Sequence, residues 1–432
     1  MFRTRLFGGV LVLALVAATG QQARATRSTT GVLVEWNQIL QDTIPGAGGV
    51  MAPRFYAMTH IAMFDAVNAI EREFEPYRVR LKYQGGSPEA AAAQAAHDVL
   101  VALNPTATAT YDAALATQIG TRPSGFVRRG AAVGARVAKA ILEWRQNDGW
   151  VVTITPPYVE PLLPGRWRPT PPNNPTAAFT HLQNATPMAL LTATQFLPAP
   201  PPALTSERYA ADLNEIKLIG KSDSATRTPQ QTEIARLWAG LATTGTGTAT
   251  TFFAVWNNVV RDLIVERRLS LVEGARLFAL VNVSIHDALH TTQASKFVYG
   301  LWRPVTAIRE ADNDLNPATD ADPAWLPLLT TPPYPSYGGN LATIGASAAR
   351  ALQLAFGTND IPVTLTWRQS GGLPEVTHSF EGFQEAADEQ SEARIYGGIH
   401  YRFDQMAGQK AGRDVAEFVF GNFMRTRRSF ID

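Results

Sequence analysis

Three cations, Lys296, Arg303 and Arg394, are joined late in the chain by His400 and, four residues on, Asp404. Three cationic side chains suit a tetrahedral anion such as phosphate or vanadate, because charge-assisted hydrogen bonds to an oxyanion are short and roughly twice as strong as neutral ones. Arginine adds a planar fork that stays charged at any ordinary pH. A histidine and an aspartate at i and i+4 share one helix face, so the carboxylate can fix the ring's tautomer and orientation. The other ring nitrogen is then free as a nucleophile or as a ligand to the anion's central atom. Any one of these side chains alone would be an ordinary surface ion-pair former. The set of five points to oxyanion chemistry.

A rival pattern lies just upstream. His286-Asp287-Ala288-Leu289-His290 imitates the H-E-x-x-H zinc helix, with two histidines one turn apart. Its acid is the shorter aspartate and no third ligand is evident, so a metalloprotease is not the expectation. His290 and His378 are further candidates for a proton donor, although a lone helix histidine is more often a hydrogen-bonded packing residue. The chain has no cysteine, which excludes thiolate nucleophiles, iron–sulfur clusters and thiolate zinc sites.

The elements that must carry these residues read as helices. With 432 residues, 45% apolar and 17% charged, the chain can bury a large core, and a net charge of +1 gives no reason to expect nucleic acid. Helix-periodic, alanine-rich stretches cover 51–70, 88–118, 125–147, 206–219, 228–242, 250–267, 271–292, 341–356, 380–390 and 400–423. Strand-like alternation is confined to fragments such as 151–154 and 363–367, so the fold class is all-α.

Residues 1–25 read as a secretory signal: Arg3 and Arg5, an apolar run from Leu6 to Ala18, then Ala23-Arg24-Ala25. The run is too short for a spanning helix and no later one reaches 18 apolar residues, so the expectation is an exported, periplasmic or extracellular protein without a membrane span. Residues 26–155 form a first helical bundle, 156–204 a proline-rich connection and 205–432 a second bundle. The connection holds Pro156-Pro157, Pro171-Pro172 and Pro200-Pro201-Pro202, and its Trp167 and Phe196 favour a packed path. The two bundles look like repeats. Arg54-Phe55-Tyr56-Ala57-Met58 with Asp65-Ala66 matches Arg276-Leu277-Phe278-Ala279-Leu280 with Asp287-Ala288, all at an offset of 222. Phe74 stands where Lys296 would repeat, so an anion site belongs to the second bundle.

Lys296-x6-Arg303-Pro304, a Pro-x-Tyr segment at Pro335-Ser336-Tyr337 and Arg394-x5-His400-x3-Asp404 resemble the signature of the superfamily of vanadium-dependent haloperoxidases and type 2 phosphatidic-acid phosphatases. Trp302-Arg303-Pro304-Val305-Thr306 and Ala62-Met63-Phe64-Asp65-Ala66-Val67-Asn68 add to the likeness. The resemblance implies two helical bundles, with Lys296, Arg303 and Arg394 on the oxygens of vanadate or phosphate. It makes His400 the ligand to vanadium, or the phosphatase nucleophile, held by Asp404, with Asp287 steering Arg394. Gly339 and Asn340 stand where relatives supply loop donors to the anion. The implied reactions are oxidation of halide by hydrogen peroxide, or hydrolysis of phosphate esters. Relatives carry Pro-Ser-Gly-His where this chain reads Gly338-Gly339-Asn340-Leu341. Leucine cannot transfer a proton, and acid–base help is worth about 10²–10⁴ in rate. Weak activity, or silent oxyanion binding, is the alternative.

Overall fold

A computed structural model describes residues 30–44, 49–82, 85–247 and 249–427. The signal-peptide reading of residues 1–25 lies outside them. The described residues form thirteen α-helices and one two-stranded sheet, so the all-α expectation is met. The first group is α1 (Gly31–Thr43), α2 (Ala52–Glu71), α3 (Pro88–Leu103), α4 (Thr108–Ile119) and α5 (Gly125–Arg145). After the connection come α6 (Glu207–Ile219), α7 (Pro229–Leu237), α8 (Phe252–Glu266), α9 (Leu271–Tyr299) and α10 (Pro304–Arg309). α11 (Asn340–Phe356), the hairpin β1 (Val363–Trp367) and β2 (Val376–Phe380), α12 (Phe383–Tyr396) and α13 (Arg402–Asn422) complete the order.

The helix starts follow local chemistry. The side chains of Ser87, Ser124, Ser206, Thr228, Thr251 and Ser270 each accept a backbone N–H of the first turn they precede. Ser270 and Glu273 close a full capping box at the head of α9. The stretch expected as one helix over 88–118 divides at Asn104-Pro105, where proline cannot supply the next helical N–H. Residues 151–154 form no strand, while 363–367 does, antiparallel to β2 with Val363 opposite Phe380.

α2 and α9 pack against each other, and one apolar core runs through both groups of helices, from Leu33 and Trp36 to Val415 and Val419. At the seam lies a buried polar tetrad. Asn37 Nδ2 donates to Asn257 Oδ1 at 2.9 Å and lies 3.1 Å from His60 Nε2, while Asn257 Nδ2 donates to Asn282 Oδ1 at 3.1 Å. His60 and Asn282 stand at the 222-residue offset. Trp36-Asn37 in α1 and Trp256-Asn257 in α8 extend the duplication with an offset of 220. Each half also joins two helices through a pair of glycines one turn apart. A methyl group on Gly134 would stand 2.3 Å from the Ala91 carbonyl of α3, and one on Gly412 would stand 2.4 Å from the Thr343 carbonyl of α11. Only glycine lets α5 approach α3, and α13 approach α11, so closely.

The connection is packed, as its aromatic residues suggest. Trp167 is buried and its N–H donates to the Gly300 carbonyl. Ala178 N–H donates to the Pro333 carbonyl, and the carbonyls of Pro198 and Ala199 accept the hydroxyls of Tyr299 and Tyr337. The connection thus covers the end of α9 and the loop before α11.

Candidate oxyanion site

Four helix ends meet beneath that cover. Lys296 lies in the last turn of α9, which Gly300 closes with φ 58°, and Arg303 is the N-cap of α10. Arg394 lies in the last turn of α12, and Asp404 in the first turn of α13. The turn between α12 and α13 depends on Gly398, which has φ 77° and no room for a Cβ: one would stand 2.2 Å from the Gly220 carbonyl. That turn delivers His400 opposite Arg303. The loop 334–339 crosses the middle.

Lys296, Arg303 and Asp404 are fully enclosed, and His400 and Arg394 nearly so. His400 Nδ1 lies 2.9 Å from Asp404 Oδ2, and His400 Nε2 lies 3.1 Å from Arg303 Nη1. A carboxylate on one side and a guanidinium donor on the other assign the proton to Nδ1 and the lone pair to Nε2. Burial first, then Arg303, Lys296 and Arg394, hold the imidazole well below its usual pKa, so it is neutral near pH 7. Burial pushes the Asp404 carboxyl up to about 6, against the opposing pull of the Ser336 hydroxyl, Lys296 and Arg303. Burial likewise pulls Lys296 well below its ordinary value, with Arg303 and Arg394 adding repulsion and Asp404 opposing. Arg394 is lowered to about 10, by burial first.

Much of the polar capacity here is uncommitted. Lys296 Nζ donates to the carbonyls of Ser336 and Gly338, and Arg303 donates from Nε to the Tyr334 carbonyl at 2.8 Å and from Nη1 to the Ile399 carbonyl at 2.9 Å. Arg303 Nη2 and Arg394 Nε and Nη1 are buried with no acceptor among the described residues. Each buried donor left unmatched costs about 1–3 kcal/mol, and more when charged. Three enclosed cations face one carboxylate. A tetrahedral oxyanion of two or three negative charges answers both deficits, so the residues present fit vanadate or phosphate.

The sequence-predicted residues divide as follows. Lys296, Arg303, Arg394, His400 and Asp404 come together. Gly339 does not present its N–H to the cage, because it donates to the Asp404 carbonyl at 2.9 Å. Asn340 opens α11 with its Oδ1 buried and unpartnered. Asp287 does not steer Arg394. Its oxygens accept the N–H groups of Met188, Ala189 and Leu190 at 2.7–2.8 Å and lie 2.7 Å from His286 Nδ1. Asp65 does the same for Tyr77, Arg78 and Val79, so the repeated aspartate gathers backbone in both halves. His286 stacks on Trp150, and His290 Nε2 meets the Leu182 carbonyl. His378 lies 2.8 Å from Glu389. None of the three is a neighbour of the cage cations.

Three participants escaped the sequence reading. Ser336 Oγ donates to the same Asp404 oxygen that holds His400. Its signal was present in Pro335-Ser336-Tyr337, but the motif alignment placed the serine position at Gly339. Gln405 fills the space beside Gly339, with both amide atoms buried and unpartnered. Tyr334 lies under two cations, its ring centroid 5.0 Å from Arg303 Cζ and 5.4 Å from Lys296 Nζ. An aromatic residue before a proline carries no sequence signal for such a place.

Known proteins bear on this arrangement. Residues 276–429 match the family model of the VCPO second helical-bundle domain. The chain is 26% identical to the vanadium chloroperoxidase of Curvularia inaequalis over 43% of its own length, and spans only 38% of that relative. Its fold matches the crystal structure of a bacterial vanadium-dependent iodoperoxidase with a TM-score of 0.76 and 24% identity, covering 92% of this chain and 98% of that one. An apo-type bacterial vanadium-dependent chloroperoxidase superposes with a TM-score of 0.70 and 15% identity, over 88% and 94% of the two chains. The likeness read from the motifs is therefore met by a family model over the second bundle, and the fold matches that of solved bacterial vanadium haloperoxidases.

Proposed function

We propose that this chain is an exported enzyme of the vanadium haloperoxidase kind, holding vanadate, or phosphate in its place, and oxidising halide with hydrogen peroxide. One observation carries the reading: the buried N–H groups of Arg303 and Arg394 that converge near His400 without an acceptor. Bound vanadate supplies the activation of peroxide toward halide. The chain's own residues do the rest. Lys296, Arg303 and Arg394 bind oxygens and hold their charge in a water-poor enclosure, where electrostatic stabilisation is strongest. Asp404, with Ser336 bonded to the same oxygen, fixes the His400 tautomer so that Nε2 presents a lone pair to the central atom. Arg303 Nη1 lies 3.1 Å from that Nε2, which places a guanidinium donor beside the atom that would hold the anion.

A second reading, a weak phosphatase or a silent oxyanion-binding homologue, is favoured by Leu341, which stands where relatives carry the proton-transferring histidine. Calorimetric titration with vanadate and phosphate, beside iodide and bromide peroxidation and phosphate-ester hydrolysis assays, separates the readings. Binding with peroxidation supports the first, and binding with ester hydrolysis or no turnover supports the second. Absence of binding sinks both. Restoring the motif with Leu341→His, Gly339→Ser and Asn340→Gly tests the deficit directly. A Cβ on Gly339 would stand 2.6 Å from Gln405 Nε2, so Gln405→Ala belongs in the same variant. The repaired protein is expected to gain about 10²-fold or more in turnover. Export is tested by fractionating cells that express the full chain, where retention in the cytoplasm refutes it.

A further inference from the structure

With Leu341 at the motif position, the cage needs another source of protons, and its groups can be taken in turn. Ser336 gives its proton to Asp404. His400 gives its Nδ1 proton to the same carboxylate. Lys296 donates to the carbonyls of Ser336 and Gly338. The hydroxyl of Tyr337 donates to the Ala199 carbonyl and that of Tyr401 to the Trp302 carbonyl. Tyr334 differs from all of these: its hydroxyl donates to no acceptor among the described residues. Its ring is held in place by Phe179 of the connection, 6.3 Å between centroids, and by the Lys296 and Arg303 cations. Its ring thus lies 5.0 Å from the Cζ of Arg303, whose Nη2 is buried without an acceptor among the described residues.

We infer that Tyr334 is the proton donor of this site, acting on an oxygen of the anion that Arg303 and Arg394 hold. The inference rests on the oxyanion reading above. The step is a single proton transfer. The Tyr334 O–H bond would break and its proton would go to the oxygen that leaves as water or as an alcohol; that oxygen would keep the electron pair of its broken bond to the anion's central atom, and an oxygen of the incoming hydrogen peroxide or water would take its place. The phenolate is flanked by Arg303 and Arg394, and takes a proton back from the incoming hydrogen peroxide or water.

The test compares the full-length wild type with Tyr334→Phe, which keeps the ring and its cation contacts. Phosphate affinity is measured by calorimetry on the unloaded protein, and turnover over a range of pH after vanadate loading. The inference expects phosphate affinity to fall by about 2–10-fold, the value of one neutral hydrogen bond. It expects kcat to fall by about 10²-fold or more, with loss of the alkaline limb of the profile. A wild-type chain with fluorotyrosine at 334 has a more acidic phenol, so its alkaline limb is expected at lower pH with phosphate affinity retained. Unchanged kcat and pH profile in Tyr334→Phe overturn the assignment while leaving the oxyanion reading intact. Binding by the wild type without any turnover does the same. Failure of the wild type to bind phosphate or vanadate removes both. An unaltered melting curve for Tyr334→Phe shows that a loss of turnover is not a loss of fold.

Discussion

Each half of this protein buries a group of cations, and the two groups have opposite fates. In the first half Arg54 and Arg145 both reach Asp148 Oδ2, at 2.8 and 3.0 Å. Arg145 also donates to the Thr186 and Pro187 carbonyls, and Arg54 to the Arg145 carbonyl. In the second half Lys296 and Arg303 face the one carboxylate of Asp404, and three guanidinium nitrogens of Arg303 and Arg394 have no acceptor among the described residues. The comparison teaches how to tell structure from site in a duplicated fold. Buried donors matched inside the chain hold it together, whereas buried donors left unmatched at a helix junction mark the candidate site.

That contrast can be broken by swapping the test. Arg145→Ala leaves Asp148 and two carbonyls short of a buried partner, and is expected to cost about 3–5 kcal/mol in denaturant unfolding. Its phosphate affinity at a permissive temperature should stay within a few-fold of wild type. A large loss of affinity with little loss of stability would invert the comparison.

Acid sharpens it at the seam and under the connection. Burial lowers His60 and His290 from 6.5 to about 4, and lowers His286 as well. A base whose folded pKa is depressed takes up its proton more readily when unfolded. Stability is therefore complete above about pH 6.5 and falls between pH 6.5 and 4, by up to about 3 kcal/mol for each of His60 and His290. His60→Asn should flatten part of that slope in melts taken across the range.

Arg394→Ala is the mirror of the first experiment. Loss of one charge-assisted contact should weaken phosphate and vanadate by about 10–150-fold, corresponding to about 1.5–3 kcal/mol. Relief of repulsion among three cations should leave the melting temperature equal or higher. A clear fall in stability would place Arg394 among the structural cations. The smallest effect concerns the glycine seams. Gly412→Ala pushes α13 from α11 and is expected to cost about 1–3 kcal/mol together with some anion affinity. Gly134→Ala should cost a similar amount and leave affinity unchanged.

Much of this was legible in the sequence. The three cations, His400 and Asp404 were identified because each chemistry has a narrow choice of side chain, and they do meet. The all-α class followed from long periodic stretches. What escaped depends on contacts between distant segments. α1 was missed although it is as long as α6; its buried face is divided between Trp36, bonded to Gln118 of α4, and Asn37, a polar residue bonded across the seam. α9 was expected to stop at Thr292 but runs to Tyr299; the connection packs on its last turn through Tyr158 on Phe297 and the Pro198 carbonyl on Tyr299, and the loop before α11 covers Lys296. Asp287 was assigned to Arg394 because spacing along one helix says nothing of the segment that crosses it. The same holds for Gly339, whose N–H is taken by a carbonyl 65 positions further on. Tyr334 gained its place only from two cations arriving on separate helices.

The polar tetrad at the seam has an inheritance consequence. Asn37 and His60 come from one half, and Asn257 and Asn282 from the other. Replacing one half by that of a distant relative would pair amides and imidazole with strangers at a place where water cannot compensate. The two halves of this duplication must therefore travel and drift together, even though only the second carries the cage.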